Sequence, residues 1–272
     1  MYGPAPGRAA GDDTHPSHLR QAPGRQSMRF QYDTIGERYA ESKTTAAFSA
    51  ADTYTLHGAL DALGGVRGLD ALDLACGYGY NTRLLARGGA RRTVGVDVSE
   101  EMIRLAREHE ATKDRADVEY HVADAAGLPQ LGPFDLATAA YVFSYAPDRR
   151  SLHAMFRSAR ANLRAGGRLL AIVPNAGAFP RVDWSPYGVR IIDRIPDGDA
   201  PLLKAHFLTE PPVPFEFREW AHADLAEAAV EAGFVTVGWQ PNRTPPADAL
   251  RDEEYWTGYR AWPISSLMTC TA

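Results

Sequence analysis

The sequence predicts an α/β fold: a doubly wound, seven-stranded, mostly parallel sheet of Rossmann-like type, with an N-terminal helical cap and a lid insertion. Three observations predict it. Short apolar runs alternate with helical periodicity between residues 69 and 174. A glycine turn, "DLACGYG" at 73–79, follows the first run. An aspartate stands at or beside the end of each of the first three runs.

Residues 1–28 are rich in Gly, Pro, Arg and Ala without periodicity, which predicts a disordered or loosely docked tail before a folded domain at 29–272. "DTYTLHGALDAL" (52–63) reads as an amphipathic helix ended by Gly64 and Gly65. A strand is expected at 69–75, a helix at 81–88 and a second strand at 92–98. Ser99 would cap the helix "EEMIRLAREHEA". Strands follow at 118–124 and 134–143, then a helix opened by Asp148, and a fifth strand at 167–174. Strand and helix in alternation imply right-handed crossovers with helices on both faces. After Pro174 the pattern lapses, and the segment 174–214 is expected to be a lid or substrate insertion without clean elements. A helix at 222–233, a strand at 234–240, a helix near "EEYWTGYRAW" and a last strand at 264–271 complete the expected order.

Composition narrows the function. With 272 residues, 45% hydrophobic content and a net charge of −5, the chain suits one large domain and suits a nucleic-acid backbone poorly. Cys76 and Cys270 form no paired motif, which fits a reducing compartment. No apolar run approaches the ~20 residues of a membrane span, and no signal-peptide h-region is evident. A cytoplasmic protein, monomer or homodimer, with neither membrane nor nucleic acid as partner is expected.

The glycine turn raises the question of a cofactor. A dinucleotide site would carry a third glycine, where Thr82 stands. A carboxylate at Asp73 would repel a pyrophosphate and attract a cationic amino group. S-adenosylmethionine has an ammonium and a sulfonium and no phosphate. Gly77 and Gly79 would let the backbone approach it. Asp97, 18 residues after Gly79, would accept from the ribose hydroxyls. Asp124 would accept from the adenine amino group, and Met102 would pack on the adenine face. Ala75, Val98, Ala125 and Ala140 flank these positions and complete the expected cofactor set. The aspartates would alternatively serve as helix caps, which explains their shared placement less well.

"DLACGYG", "GVDVSEEMIRLA" and "VADA" resemble the class I SAM-dependent methyltransferases over about residues 30–271. The resemblance implies that Asp73 meets the methionine ammonium, Asp97 the ribose and Asp124 the adenine. It also implies a tyrosine near the N-terminus on the cofactor carboxylate, for which Tyr32, Tyr39 and Arg38 are available. "SSLMTCT" would be the antiparallel strand of the sheet. Cys76 departs from the family's frequent glycine. "FDLATAAYVFSYA", "FEFREWAHADL" and "AGFVTVGWQ" are similar to the azapteridine (toxoflavin-type) N-methyltransferases. That narrower likeness implies transfer to a ring nitrogen of a planar heterocycle in natural-product biosynthesis, with S-adenosylhomocysteine as by-product.

Methyl transfer needs alignment and water exclusion more than an acid–base dyad. Tyr141, Phe143 and Tyr145 would form an aromatic wall, with Tyr141 positioning the acceptor. Trp184, Tyr187, Phe207 and Trp220 would complete a pocket for a flat ring. His206 is the candidate base if the acceptor is a phenolic oxygen. Asp135 lacks the further ligands a metal would want, so no metal is expected. Two rivals from other classes stand beside this reading: a nicotinamide oxidoreductase, disfavoured by Thr82, and a non-catalytic SAM-binding module.

Overall fold

A computed structural model of the protein describes residues 31–111, 118–179 and 181–272. The tail expected at 1–28 lies outside the described residues. Helices α1 (Gln31–Thr45) and α2 (Ala47–Ala62) precede β1 (Asp70–Leu74), α3 (Tyr80–Arg87), β2 (Arg92–Asp97), α4 (Glu100–Ala111) and β3 (Val118–Val122). Then come β4 (Phe134–Ala140), α5 (Arg149–Ala161) and β5 (Leu163–Pro174). Strands β6 (Val189–Ile195), β7 (Leu202–Phe207) and β8 (Val213–Arg218) follow, with α6 (His222–Glu231), β9 (Thr236–Pro241), α7 (Glu253–Ala261) and β10 (Ser265–Thr271) at the end.

The main sheet has seven strands in the order β3-β2-β1-β4-β5-β10-β9, and β10 runs antiparallel to both neighbours. The strands are apolar because both faces are covered. Leu72, Val94, Leu136 and Leu169 are each at most 2% exposed, and each such burial contributes roughly 1.5–3 kcal/mol. Helix α5 buries Leu152, Met155, Phe156 and Ala159, the i, i+3, i+4, i+7 stripe of an amphipathic helix. Asp148 caps it, accepting from the Ser151 N–H at 2.8 Å. The order reverses between β1 and β4, which opens a crevice at their carboxyl ends.

The segment after Pro174 departs from expectation. It folds as a second, antiparallel sheet, β6-β7-β8, rather than a loop. Its signal is alternation: Leu203, Ala205 and Phe207 are buried on β7, and Val213, Phe215 and Phe217 on β8. The prolines obscured it, yet Pro214 sits on the exposed face of β8. The first expected helix also begins earlier, at Ala47 rather than 52, with Ala47, Phe48 and Ala51 buried.

Helix α1 lies against α4, and Gly36 permits the approach: a Cβ there would stand 3.1 Å from Glu101 Cγ. Gln31 grips β8 twice, donating from Nε2 to the Glu216 carbonyl and accepting from its N–H. Among the described residues no helix is long and apolar enough to cross a membrane.

Candidate functional site

A cavity of about 1420 Å³, counted to its open mouth, lies between the carboxyl ends of β1, β2 and β4 and the small sheet, with α1 across it. The backbone at its floor is unusual. Ala75 after β1 and Tyr141 after β4 have φ of +53° and +64°, a conformation non-glycine residues rarely adopt. Both line the cavity. Strain held at neighbouring strand ends is characteristic of a working site.

The first wall follows the glycine turn. Gly77, at φ +54°, donates its N–H to Asp97 Oδ2 at 2.9 Å, and Ser99 donates its N–H to Oδ1 at 2.9 Å. Burial pushes the Asp97 carboxyl up, and these N–H donors pull it back. Ser99 caps α4 as expected, its Oγ accepting from the Met102 N–H at 3.1 Å. Met102 is 1% exposed and meets the cavity beside Val98. Asp124 opens a short 3₁₀ turn, accepting from the Ala126 N–H at 3.0 Å, and Ala125 follows it on the same wall. Tyr32, Tyr39 and Ala140 also line the space. The hydroxyls of Tyr32 and Tyr145 are hydrogen-bonded, tying α1 to the turn after β4.

The opposite wall is aromatic. Phe207 and Phe215 stack with ring centroids 3.8 Å apart and planes 7° from parallel, and Phe217 continues the row at 5.7 Å from Phe215. Trp184, Tyr145 and the ring of Tyr141 complete it. The Tyr141 hydroxyl donates to Asp52 Oδ2 at 2.7 Å. Burial, with the Asp52 charge next, holds that phenol well above its ordinary range.

Several expected contacts are placed elsewhere. Asp73 is 1% exposed and does not line the cavity. Its oxygens accept from Thr82 Oγ1 at 2.7 Å and Thr138 Oγ1 at 2.8 Å, so it braces β1, α3 and β4 from behind. Desolvation raises its carboxyl to about 6, against those two hydrogen bonds. Gly79 faces Tyr120 instead of the cavity: a Cβ would come within 2.5 Å of the Tyr120 hydroxyl. Arg38 is exposed on α1 and lines no part of the cavity. His206 alternates with the buried Ala205 and Phe207 on β7, so it faces away and is no base for this cavity. Tyr187 packs edge-on against Tyr255 and Tyr259, and Trp220 donates to the Ala146 carbonyl at 3.2 Å. Phe143 lies in the main core, stacked on Phe156.

Besides Phe215 and Phe217 on the small sheet, three residues on the first two helices were missed. Phe48 and Lys43 line the cavity. Asp52, 7% exposed, anchors a buried network, accepting also from Ser265 Oγ at 2.8 Å and Asn242 Nδ2 at 2.6 Å. No motif marks them, because helix packing alone brings α1 and α2 against strands more than eighty residues away in the chain; Asp52 and Tyr141 stand 89 residues apart.

Residues 71–167 match a family described as a methyltransferase domain. The chain is 33% identical over 91 residues to a ubiquinone biosynthesis O-methyltransferase of Neisseria meningitidis serogroup C, covering 33% of this chain and 38% of that protein. It is 28% identical over 153 residues to a demethylmenaquinone methyltransferase of Lactococcus lactis, covering 55% and 59%. The matches thus span less than two thirds of these relatives' lengths. Among solved structures, the CcbJ methyltransferase of Streptomyces caelestis superposes with a TM-score of 0.63 at 20% identity, covering 90% of this chain and 98% of that one. These likenesses place the fold among the Rossmann-like methyltransferases.

Proposed function

We propose that this chain, built around a methyltransferase domain, moves a methyl group from S-adenosylmethionine to a small-molecule acceptor and releases S-adenosylhomocysteine. The observation that carries the reading is the cavity itself: a strand-end wall bearing Asp97 and Asp124 faces an aromatic wall across one space. The first wall fits the cofactor. Asp97 would take the ribose hydroxyls, Asp124 the adenine amino group, Met102 the adenine face, and Gly77 with Ala75 the amino-acid end. Tyr32 and Tyr39 on α1 would cover it from solvent. Asp73 holds the turn in place rather than touching the ligand.

When bound, the cofactor supplies a methyl carbon whose bond to sulfur breaks, leaving the pair on sulfur, as the acceptor's lone pair bonds to that carbon. The chain aligns the partners and keeps water out. The favoured acceptor is a ring nitrogen of a planar heterocycle of the azapteridine class, in natural-product biosynthesis. The stacked row Phe207, Phe215 and Phe217 supports a flat ligand. Transfer to a phenolic oxygen is the second reading, favoured by the O-methyltransferases among the relatives.

Calorimetry with S-adenosylhomocysteine and with NAD, followed by mass spectrometry with S-adenosylmethionine and a desmethyl azapteridine, tests these steps. Binding of S-adenosylhomocysteine alone and a product heavier by one or two methyls is expected. Binding without product would reject the azapteridine; binding of NAD alone would reject the methyltransferase reading.

A further inference from the structure

Lys43 stands where the two walls meet. It lines the main cavity and also a smaller adjoining one shared with Asp52, Gly77 and Tyr78. Its Nζ lies 5.1 Å from the centroid of Tyr141, 5.2 Å from Phe48 and 5.7 Å from Tyr39. Ring faces hold a cation in place but do not neutralise it. Burial pushes its ammonium below the ordinary lysine range, and the field of Asp52 only partly restores it. Asp52 is already engaged, accepting from Tyr141, Ser265 and Asn242. Asp97 is likewise held by the Gly77 and Ser99 N–H groups. Lys43 therefore has no ion-pair partner among the described residues, in surroundings where an unpaired charge is costly.

A second donor on the aromatic wall is in the same condition. Trp184 lines the cavity, and its indole N–H is buried without an acceptor among the described residues. All three rings about Lys43 pack with Phe207 and Phe215: Phe48 within the core of that wall, Tyr39 and Tyr141 against it. The wall thus offers a flat apolar face together with donors that lack acceptors.

Resting on the methyltransferase reading, we propose that the acceptor is a planar anion, its charge carried by a carboxylate, a phenolate or an ionised ring N–H, and that Lys43 is the residue that selects it by pairing with that charge. Where the charged atom is itself the one methylated, it arrives without its proton, so its lone pair is ready and the chain needs no dedicated base. This accounts for a cavity that His206 does not reach. The rival use of Lys43 is the carboxylate of the cofactor, and the test separates the two.

The full chain saturated with S-adenosylhomocysteine is titrated calorimetrically with 2-naphthoate and with 2-naphthamide, its neutral counterpart of the same shape. Naphthoate should bind about tenfold tighter, the scale of one charge-assisted bond. Lys43→Met should erase that preference and Lys43→Arg should keep most of it. S-adenosylhomocysteine affinity should stay within about threefold in both variants, less than one such bond. Equal binding of the two probes by the wild-type chain, or no naphthoate binding, would overturn the proposal whatever the variants do. So would a Lys43→Met chain that keeps the preference but binds S-adenosylhomocysteine about tenfold more weakly. A wild-type chain that fails to bind S-adenosylhomocysteine would overturn both this proposal and the reading beneath it.

Discussion

Two phenylalanine stacks of nearly the same geometry sit in two different environments. Phe143 and Phe156 stack at 3.9 Å and 2° inside the main core, between β4 and α5. Phe207 and Phe215 stack at 3.8 Å and 7° on the small sheet, and their pair lines the cavity. The first pair is enclosed by protein; the second has protein behind it and an open space before it. The difference teaches that the main sheet is built to stay closed, while the small sheet leaves an aromatic surface facing an open space.

The largest expected effect separates these environments. Phe156→Ala, at a site with 0% exposure, should cost about 3–5 kcal/mol in urea unfolding. Phe215→Ala should cost less, about 1–2 kcal/mol, because part of its ring faces the cavity. It should weaken a bound planar acceptor, which Phe156→Ala at a folded temperature should not. Equal stability losses with unchanged ligand affinity would erase the distinction.

A similar contrast exists between two carboxylates on adjacent strands. Asp73 and Asp97 are both buried, yet only Asp97 lines the cavity. The Asp73 carboxyl is held at about 6 against an ordinary 3.8. The folded state therefore keeps its proton longer than the unfolded chain does. Its contribution, about 3 kcal/mol, is full below pH 3.8 and is lost as pH rises to about 6. Asp73→Asn cannot titrate, so relative to wild type it should gain about that much between those limits, read from unfolding curves at each pH. A constant difference across the window would show that Asp73 is not held protonated.

That contrast also marks what the sequence made legible. The seven strands, their alternation with helices and the strand-end positions of Asp97 and Asp124 follow from local rules: apolar runs bury strands, and ligands gather at carboxyl ends where the order reverses. The antiparallel last strand was implied by the family resemblance, and the strand order is seen only in the fold. The same rules make Asp73 and Asp97 look alike, because a strand-end carboxylate is visible in sequence and its direction is not. Thr82 and Thr138, which turn Asp73 into a brace, come from two other elements. His206 failed through parity: one residue along a strand exchanges the cavity for solvent. Lys43 and Asp52 were invisible because helix packing, not a motif, brings them to the site. The small sheet was the one sizeable miss with a readable signal, the buried alternation of Val213, Phe215 and Phe217.

On the cofactor wall, Asp97→Ala should weaken S-adenosylhomocysteine binding by about 1.5–3 kcal/mol, the scale of a hydrogen bond to a charged group. Asp73→Asn should change that affinity much less. Calorimetry on both variants sharpens the pair: matching losses would mean that the brace and the contact are one unit, and unchanged affinity in Asp97→Ala would remove it from the cofactor site.

The smallest effect concerns the seam between the two regions. Helix α1 is fixed to the small sheet by Gln31 on Glu216, to α4 by Asp33 accepting from Ser99 Oγ, and to the turn after β4 by the Tyr32–Tyr145 hydroxyl pair. Tyr32→Phe removes only the last of these. The ring keeps its edge-on contact with Tyr39 at 4.7 Å, so the substitution isolates one hydrogen bond. The net worth of such a bond is about 0.5–1.5 kcal/mol, because water satisfies both hydroxyls when the seam opens. S-adenosylhomocysteine should therefore dissociate faster by about fivefold, with little change in unfolding midpoint. A dissociation rate that does not move would mean that the ligand leaves without lifting α1. A loss of stability well beyond one hydrogen bond would mean that α1 is part of the core rather than a cover laid across the two walls.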